Sequence, residues 1–397
     1  MNERRVAARL ASVFALRMVG LFLVLPVLAD YARHLPGGEQ ATLVGLALGV
    51  YGLTQALLLL PFGWASDRWG RKPVIVAGLL LFIAGGLLAA WAPTVEWLIV
   101  ARAIQGSGAI SSAVTALVAD LTTPLFRTRA MAMIGASIGL SFAGSLAVAP
   151  PLYWAIGMPG IFLLTALMGA VAVAVVVKGV PTPARPVAAA ETGGWQVVVR
   201  DGRLLRLDLG VFVLHFIQMA MWVVVPGLLV ALADLPLRDH WQVYGGAVVV
   251  ALTAMVPLVI VAEKRGQIAL VYRLAVLLLV AVEGALALLA AVGTAFRPAS
   301  FVLIALLTLF FVSFNVLEAT QPSWISKVVP PTHKGAALGV YNTLQSLGLF
   351  AGGAVGGWLA GHFGPVALFA TCAVLGALWY ATARQLAAPN EAARGGA

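Results

Sequence analysis

The chain has 397 residues, 61% of them hydrophobic and only 10% charged, with a formal net charge of +10. Soluble domains carry about a quarter charged residues, and 25 Lys+Arg with 15 Asp+Glu cannot cover a soluble fold of this length, so the composition excludes a soluble globular protein. The positive residues sit in small groups between apolar runs rather than on one face, which argues against a nucleic-acid partner and for a lipid bilayer. The single cysteine, Cys372, can form no intrachain disulfide and no Cys-only metal site.

In chain order, the apolar runs predict twelve spanning helices: 10–32, 41–63, 73–92, 95–119, 129–152, 158–179, 206–232, 240–262, 268–292, 299–322, 335–360 and 364–385. Each is long enough for a hydrocarbon core of about 30 Å at about 1.5 Å per residue. Arg4, Arg5 and Arg9 before the first run resemble a signal peptide, but that run is too long for a signal core and contains Arg17, so it reads as helix 1. Turn-rich breaks separate the runs, such as His34 to Gly38, Trp91 to Thr94, Gly157 to Gly160 and His362 to Pro365. The Pro/Ala/Gly-rich stretch after Val180 reads as a linker. The expected organisation is a six-helix half over 1–180, a cytoplasmic linker over 181–205 and a second six-helix half over 206–397. A repeat supports duplication: Pro61, Asp67 and Gly70 recur as Pro257, Glu263 and Gly266 at a constant offset of 196. Connections on one side hold twenty Lys+Arg. The other side holds Arg33, Arg238 and Arg297, and Arg17 and Arg102 lie within helices. That bias places both termini in the cytoplasm of a multi-pass plasma (inner) membrane protein.

The most specific stretch is Gly63-Trp64-Ala65-Ser66-Asp67-Arg68-Trp69-Gly70-Arg71-Lys72-Pro73 between helices 2 and 3. It resembles the G-x-x-x-D-R-x-G-R-[KR] signature of the major facilitator superfamily. Arg102-Ala103-Ile104-Gln105-Gly106 in helix 4 is similar to that superfamily's R-x-x-Q-G. Helix 1, with Arg17 to Gly20 and Leu25 to Leu28, and helix 10, with Asn315 to Ala319, look like the YajR-like members of its twelve-helix drug:proton antiporters. Two features depart from the pattern. In helix 5, Gly135, Gly139 and Gly144 lead to Ala149-Pro150-Pro151 without the paired glycines of the antiporter motif. YajR-like proteins also carry a cytoplasmic domain after helix 12, and the expectation here is a transporter without it.

The signature has a physical reading of its own. Asp67 ends helix 2, a glycine turn follows, and Asp120 ends helix 4 near where Arg71 should emerge, so the three can pair at a partly dehydrated interface. Asp67 can also face the N-terminus of helix 11 near Lys334, where unpaired N–H groups favour an anion. The resemblance implies a latch of Gly63, Asp67, Arg68, Gly70, Arg71, Lys72 and Asp120 that joins the halves when the cytoplasmic side is closed. The plainer alternative is a set of charges that anchor helix ends to headgroups.

Ionisable side chains inside a bilayer cost a few kcal/mol each, so each is a functional candidate. The interior polar set is Arg17, Arg102, Gln105, His215, Gln218, Glu283, Asn315 and Glu318. All but Glu283 fall on helices 1, 4, 7 and 10, which the resemblance implies line a central cavity. His215, Gln218 and Trp222 share one face of helix 7, and Asn315 and Glu318 one face of helix 10. Arg17, His215 and Glu318 lie at comparable depth. With Arg102 they are the candidates for proton coupling, and a structural salt bridge is the alternative. Glu318 is the expected coupling carboxylate, with Arg17 or His215 as its cation. Glu283 is on helix 9, which the resemblance implies is peripheral, and a hydrogen bond from its protonated carboxyl to a neighbouring helix is expected. Tyr51, Gln55, Gln105, Gln218, Trp222, Asn315, Tyr341 and Gln345 are substrate-contact candidates, against a plain packing role.

These residues predict an all-α polytopic membrane protein of twelve helices in two halves, a monomer that exports small organic or amphiphilic compounds in exchange for protons. No G-x-x-x-x-G-K-[ST] motif is present, so ATP is not the energy source; the proton gradient is the expected one, and no cofactor or metal is expected. No nucleophile–base or metal-ligand set suggests an enzyme. A proton-coupled symporter of a small metabolite and a non-transporting membrane sensor remain open.

Overall fold

The computed structural model describes residues 3–182, 198–295, 298–329 and 333–386. Among these there is no strand, and nine helical stretches are long and apolar enough to cross a membrane. Two of the nine hold two passes each, joined at a single residue with positive φ: Gly157 at +68° and Gly364 at +78°. A further pass is made of two short helices, Val95–Gly106 and Ser111–Leu121. The total is twelve.

Helix 1 spans Glu3–Phe22 and Leu25–Arg33, helix 2 Ala41–Trp69, helix 3 Arg71–Ala90 and helix 4 the pair just named. Helices 5 and 6 occupy 124–156 and 158–179, and helix 7 Gly202–Ala233. Helix 8 is His240–Lys264, helix 9 Ile268–Val292 and helix 10 Ala299–Val328, and helices 11 and 12 occupy 334–363 and 365–383. The chain divides into two compact units, Met1–Ala190 and Glu191–Ala397. Most of the 181–205 linker lies outside the described residues, and helix 7 begins at Gly202 rather than 206.

Four boundaries differ from the sequence reading for local reasons. Helix 1 breaks after Phe22 because Pro26 has no N–H to donate and its ring crowds the carbonyl four residues back. Helix 4, expected to be continuous, opens at 107–110: Ser107 Oγ donates to Ala103 O at 2.9 Å, and Gly108 is a poor helix former pressed against the Gly78 carbonyl. The breaks expected at Gly157 to Gly160 and His362 to Pro365 shrink to one glycine each, with Pro159 and Pro365 at the start of the next helix.

Each half has its own core. In the first, Val13, Phe14, Ile75, Leu79, Val114 and Leu117 of helices 1, 3 and 4 are buried together. In the second, helix 11 packs backbone to backbone on helix 7. A Cβ at Gly348 or Gly352 would strike the carbonyl oxygen of Phe212 or Phe216, and one at Gly356 would crowd Ala220. The outer surface is apolar, with Leu60, Leu140 and Phe301 exposed, and tryptophans sit near helix ends at Trp69, Trp91, Trp97 and Trp241. Lipid is the solvent that such a surface matches.

Candidate functional site

The helix 2–helix 3 turn depends on Gly70, whose φ of +94° and ψ of 149° suit a residue without a Cβ. The turn brings Arg71 back under helix 2. Its Nε donates to Asp120 Oδ2 at 3.0 Å, and its Nη1 donates to Ser66 Oγ at 2.8 Å and to Asp67 Oδ1. Ser66 in turn donates to Gly63 O at 2.7 Å. One guanidinium therefore serves two carboxylates: Asp120, whose side chain is 6% exposed, and Asp67, whose side chain is 43% exposed. Lys72 Nζ donates to Val177 O and Val180 O at the end of helix 6, and Arg68 lies over the Trp64 ring at 5.6 Å. The repeat in the second half keeps the glycine, with Gly266 at φ +66°, but replaces the network by one pair. Glu263 accepts from Lys327 Nζ at 2.7 Å and from Ser323 at 3.2 Å, and both members of the ion pair are exposed.

Inside the first half, Arg17 and Arg102 are both fully buried, and their guanidinium carbons lie 5.9 and 4.9 Å from the centre of the Tyr51 ring. Arg17 donates to Gln55 Oε1 at 2.7 Å and to Ser111 Oγ at 3.4 Å. Arg102 donates to Gln105 Oε1 at 2.5 Å, and Gln105 donates to Thr165 Oγ1 at 3.4 Å. The glycine of the helix 4 motif sets this contact. A Cβ on Gly106 would collide with the Tyr51 carbonyl, so its absence lets helix 4 close on helix 2 and carries Arg102, one turn earlier, to the ring.

Inside the second half, His215, Glu318 and Gln345 meet. Gln345 Nε2 is 2.8 Å from His215 Nε2 and donates to Glu318 Oε1 at 3.2 Å, and His215 Nε2 lies 3.5 Å from Glu318 Oε2. His215 Nδ1 is 3.0 Å from Val211 O. Only a proton on Nδ1 satisfies both ring nitrogens, since the carbonyl can only accept and the amide nitrogen can only donate. Trp222 and Gln218 are buried on the same helix, Trp222 edge-on to Tyr244 at 5.3 Å. Tyr341 donates to Gln321 Oε1 at 3.3 Å. Asn315 donates one amide N–H to Phe311 O of its own helix at 2.8 Å.

The hydrogen bond expected for Glu283 is not found. The side chain is fully buried and neither carboxyl oxygen has a partner among the described residues. Asp208 is absent from the candidates that the sequence suggests, although it is 1% exposed and its Oδ2 has no hydrogen-bond partner among the described residues. It lies seven residues before His215, two turns along one face of helix 7. Applying the rule for ionisable residues within a spanning run to the first turns of helix 7 would have found it.

Two six-helix units, a lipid-facing surface and charged clusters buried between spanning helices define a polytopic membrane transport protein rather than an enzyme. The chain belongs to the Major Facilitator Superfamily, whose family model matches residues 10–316. It is 41% identical over 392 residues to the inner membrane transport protein YajR of Escherichia coli K12, covering 98% of this chain and 84% of the relative. It is 26% identical to the multidrug resistance protein MdtH of Photorhabdus laumondii over 87% of this chain and 84% of the relative. Among solved structures, a single-residue mutant of the nucleoside transporter NupG aligns with a TM-score of 0.74 at 12% identity, covering 96% of this chain and 99% of that one. Human MFSD10 aligns at 0.69 and 20% identity, covering 96% and 100%.

Proposed function

We propose that the chain is a proton-driven exporter of small organic compounds working by alternating access, with both termini in the cytoplasm. The observation that carries the proton coupling is the His215–Gln345–Glu318 contact. With the proton on Nδ1, His215 Nε2 accepts from the Gln345 amide. A second proton, on Nε2, removes that acceptor and presents a cation to Glu318 Oε2 at 3.5 Å. Protonation thus exchanges one partner for another on three different helices, and a proton can shift a conformational equilibrium only through such state-dependent contacts. The multidrug resistance name of the MdtH relatives supports export of organic compounds, and the Lys+Arg bias supports the orientation. The Asp67–Arg71–Asp120 network serves as the cytoplasmic latch. The protein acts as a monomer, with the proton gradient and no cofactor.

The test is flux in liposomes with an imposed pH gradient and a chemically diverse set of organic compounds. The expected result is proton-driven efflux that Glu318→Gln reduces by about tenfold or more, with substrate binding retained. Accumulation with the proton gradient would establish a symporter instead. Movement of no compound under either gradient would leave the sensor reading.

A further inference from the structure

The first half buries two positive charges and gives them no negative partner. Its six carboxylates are all accounted for elsewhere. Asp67 and Asp120 are on Arg71, Glu3 accepts from the Thr123 backbone N–H, Asp30 lies 3.9 Å from His34, and Glu39 and Glu96 are exposed. Among the described residues, every hydrogen-bond acceptor of Arg17 and Arg102 is neutral: Gln55, Ser111 and Gln105. Arg17 Nε, Arg102 Nε and Nη2, and the Tyr51 hydroxyl are buried with no hydrogen-bond partner among the described residues. Two guanidiniums against one ring also repel each other, and the ring face can offset only part of that. Burying such a pair is costly unless an anion joins it.

A third source of positive potential converges on the same place. The break at 107–110 starts a fresh eleven-residue helix at Ser111, the residue whose hydroxyl accepts from Arg17. The first N–H groups of that helix have no intrahelical acceptor, and its N-terminus carries partial positive charge. In transporters, half-helix N-termini of this kind are where anionic groups of substrates bind.

We infer that Arg17, Arg102, Tyr51 and the N-terminus of the Ser111–Leu121 helix form a recognition site for the oxyanion of an organic anion, a carboxylate, sulfonate or phosphate on an apolar or aromatic body. The unpartnered guanidinium nitrogens and the Tyr51 hydroxyl supply the donors, and the aromatic ring packs the body beside them. The identification of this anion as cargo rests on the transport reading above; the binding itself does not.

The experiment measures thermal stabilisation of the full-length purified protein by benzoate, benzenesulfonate and phenyl phosphate. Benzamide and benzamidine serve as the neutral and cationic counterparts. The expected result is a saturable upward shift of the apparent Tm with at least one oxyanion probe and none with benzamide or benzamidine. Arg17→Gln and Arg102→Gln should each weaken binding of that probe at least tenfold. Arg102→Lys, which keeps the charge and guards against misfolding of the Gln variants, should weaken it less, and the surface change Arg238→Gln should leave it unchanged. Failure of all three anions, equal shifts with benzamide, or undiminished binding by Arg17→Gln and Arg102→Gln overturns the proposal. Anion binding without proton-driven flux would overturn the transport reading and leave this site standing; proton-driven flux of cations alone, without anion binding, would do the reverse.

Discussion

The two halves share a helical plan and a duplicated turn, yet their interiors carry opposite chemistry. The first holds Arg17 and Arg102, bases that stay charged at any working pH, against neutral partners. The second holds an imidazole and two carboxylates, His215 with Glu318 at 3.5 Å and the buried Asp208. The cytoplasmic turns diverge as well. Around Asp67 one buried guanidinium joins two carboxylates, while around Glu263 a single exposed lysine does the pairing. On the proposed function, the side chains of the two halves divide the work: fixed charge in the first, proton exchange in the second.

The helix pairs that correspond between halves differ too. Helix 11 meets helix 7 through Gly348, Gly352 and Gly356, whereas a Cβ on Gly135, Gly139 or Gly144 of helix 5 meets nothing within 4 Å. Helix 5 reaches helix 1 instead through Ser141 Oγ, which donates to Ala15 O at 3.3 Å. The largest expected effect tests this contrast. Gly352→Ala forces the Phe216 carbonyl aside and should destabilise the protein by about 1–3 kcal/mol, while Gly139→Ala should stay within about 0.5 kcal/mol of wild type. Thermal unfolding in detergent reads both, and equal losses would remove the distinction between the pairs.

The turns give the next two effects. Asp67→Asn leaves Arg71 its bonds to Asp120 and Ser66, so membrane abundance should be normal while turnover in proteoliposomes falls several-fold, toward about tenfold or ~1.4 kcal/mol. Wild-type turnover would reduce the network to an anchor. Glu263→Gln breaks an exposed pair whose contribution is under about 1 kcal/mol, and should change transport and stability little. A loss as large as that of Asp67→Asn would show that the second turn is also a latch.

Much of this was legible in the residues. Apolar run length located all twelve passes, because a bilayer demands that length, and the spacing of Asp67, Gly70, Arg71 and Asp120 anticipated a cluster whose geometry is local. What stayed hidden depends on packing between distant segments. Nothing in Gln105-Gly106-Ser107-Gly108 shows that helix 4 opens there, since Gly and Ser are common in spanning helices and the contact of Gly108 with Gly78 joins residues 30 apart in sequence. Depth matching put Arg17, His215 and Glu318 on one level but could not choose partners. Their hydrogen bonds run to Gln55 and Gln345, amides that equal depth along a helix cannot rank above any other polar residue.

The most direct test of the proposed division of work between the halves is the pH profile of transport in proteoliposomes, measured for wild type, Arg102→Gln and Glu318→Gln with one transported compound. The account predicts that Arg102→Gln lowers the rate at every pH without moving the profile, and that Glu318→Gln flattens it. A profile displaced by Arg102→Gln and untouched by Glu318→Gln would place the titrating step in the first half and contradict the account.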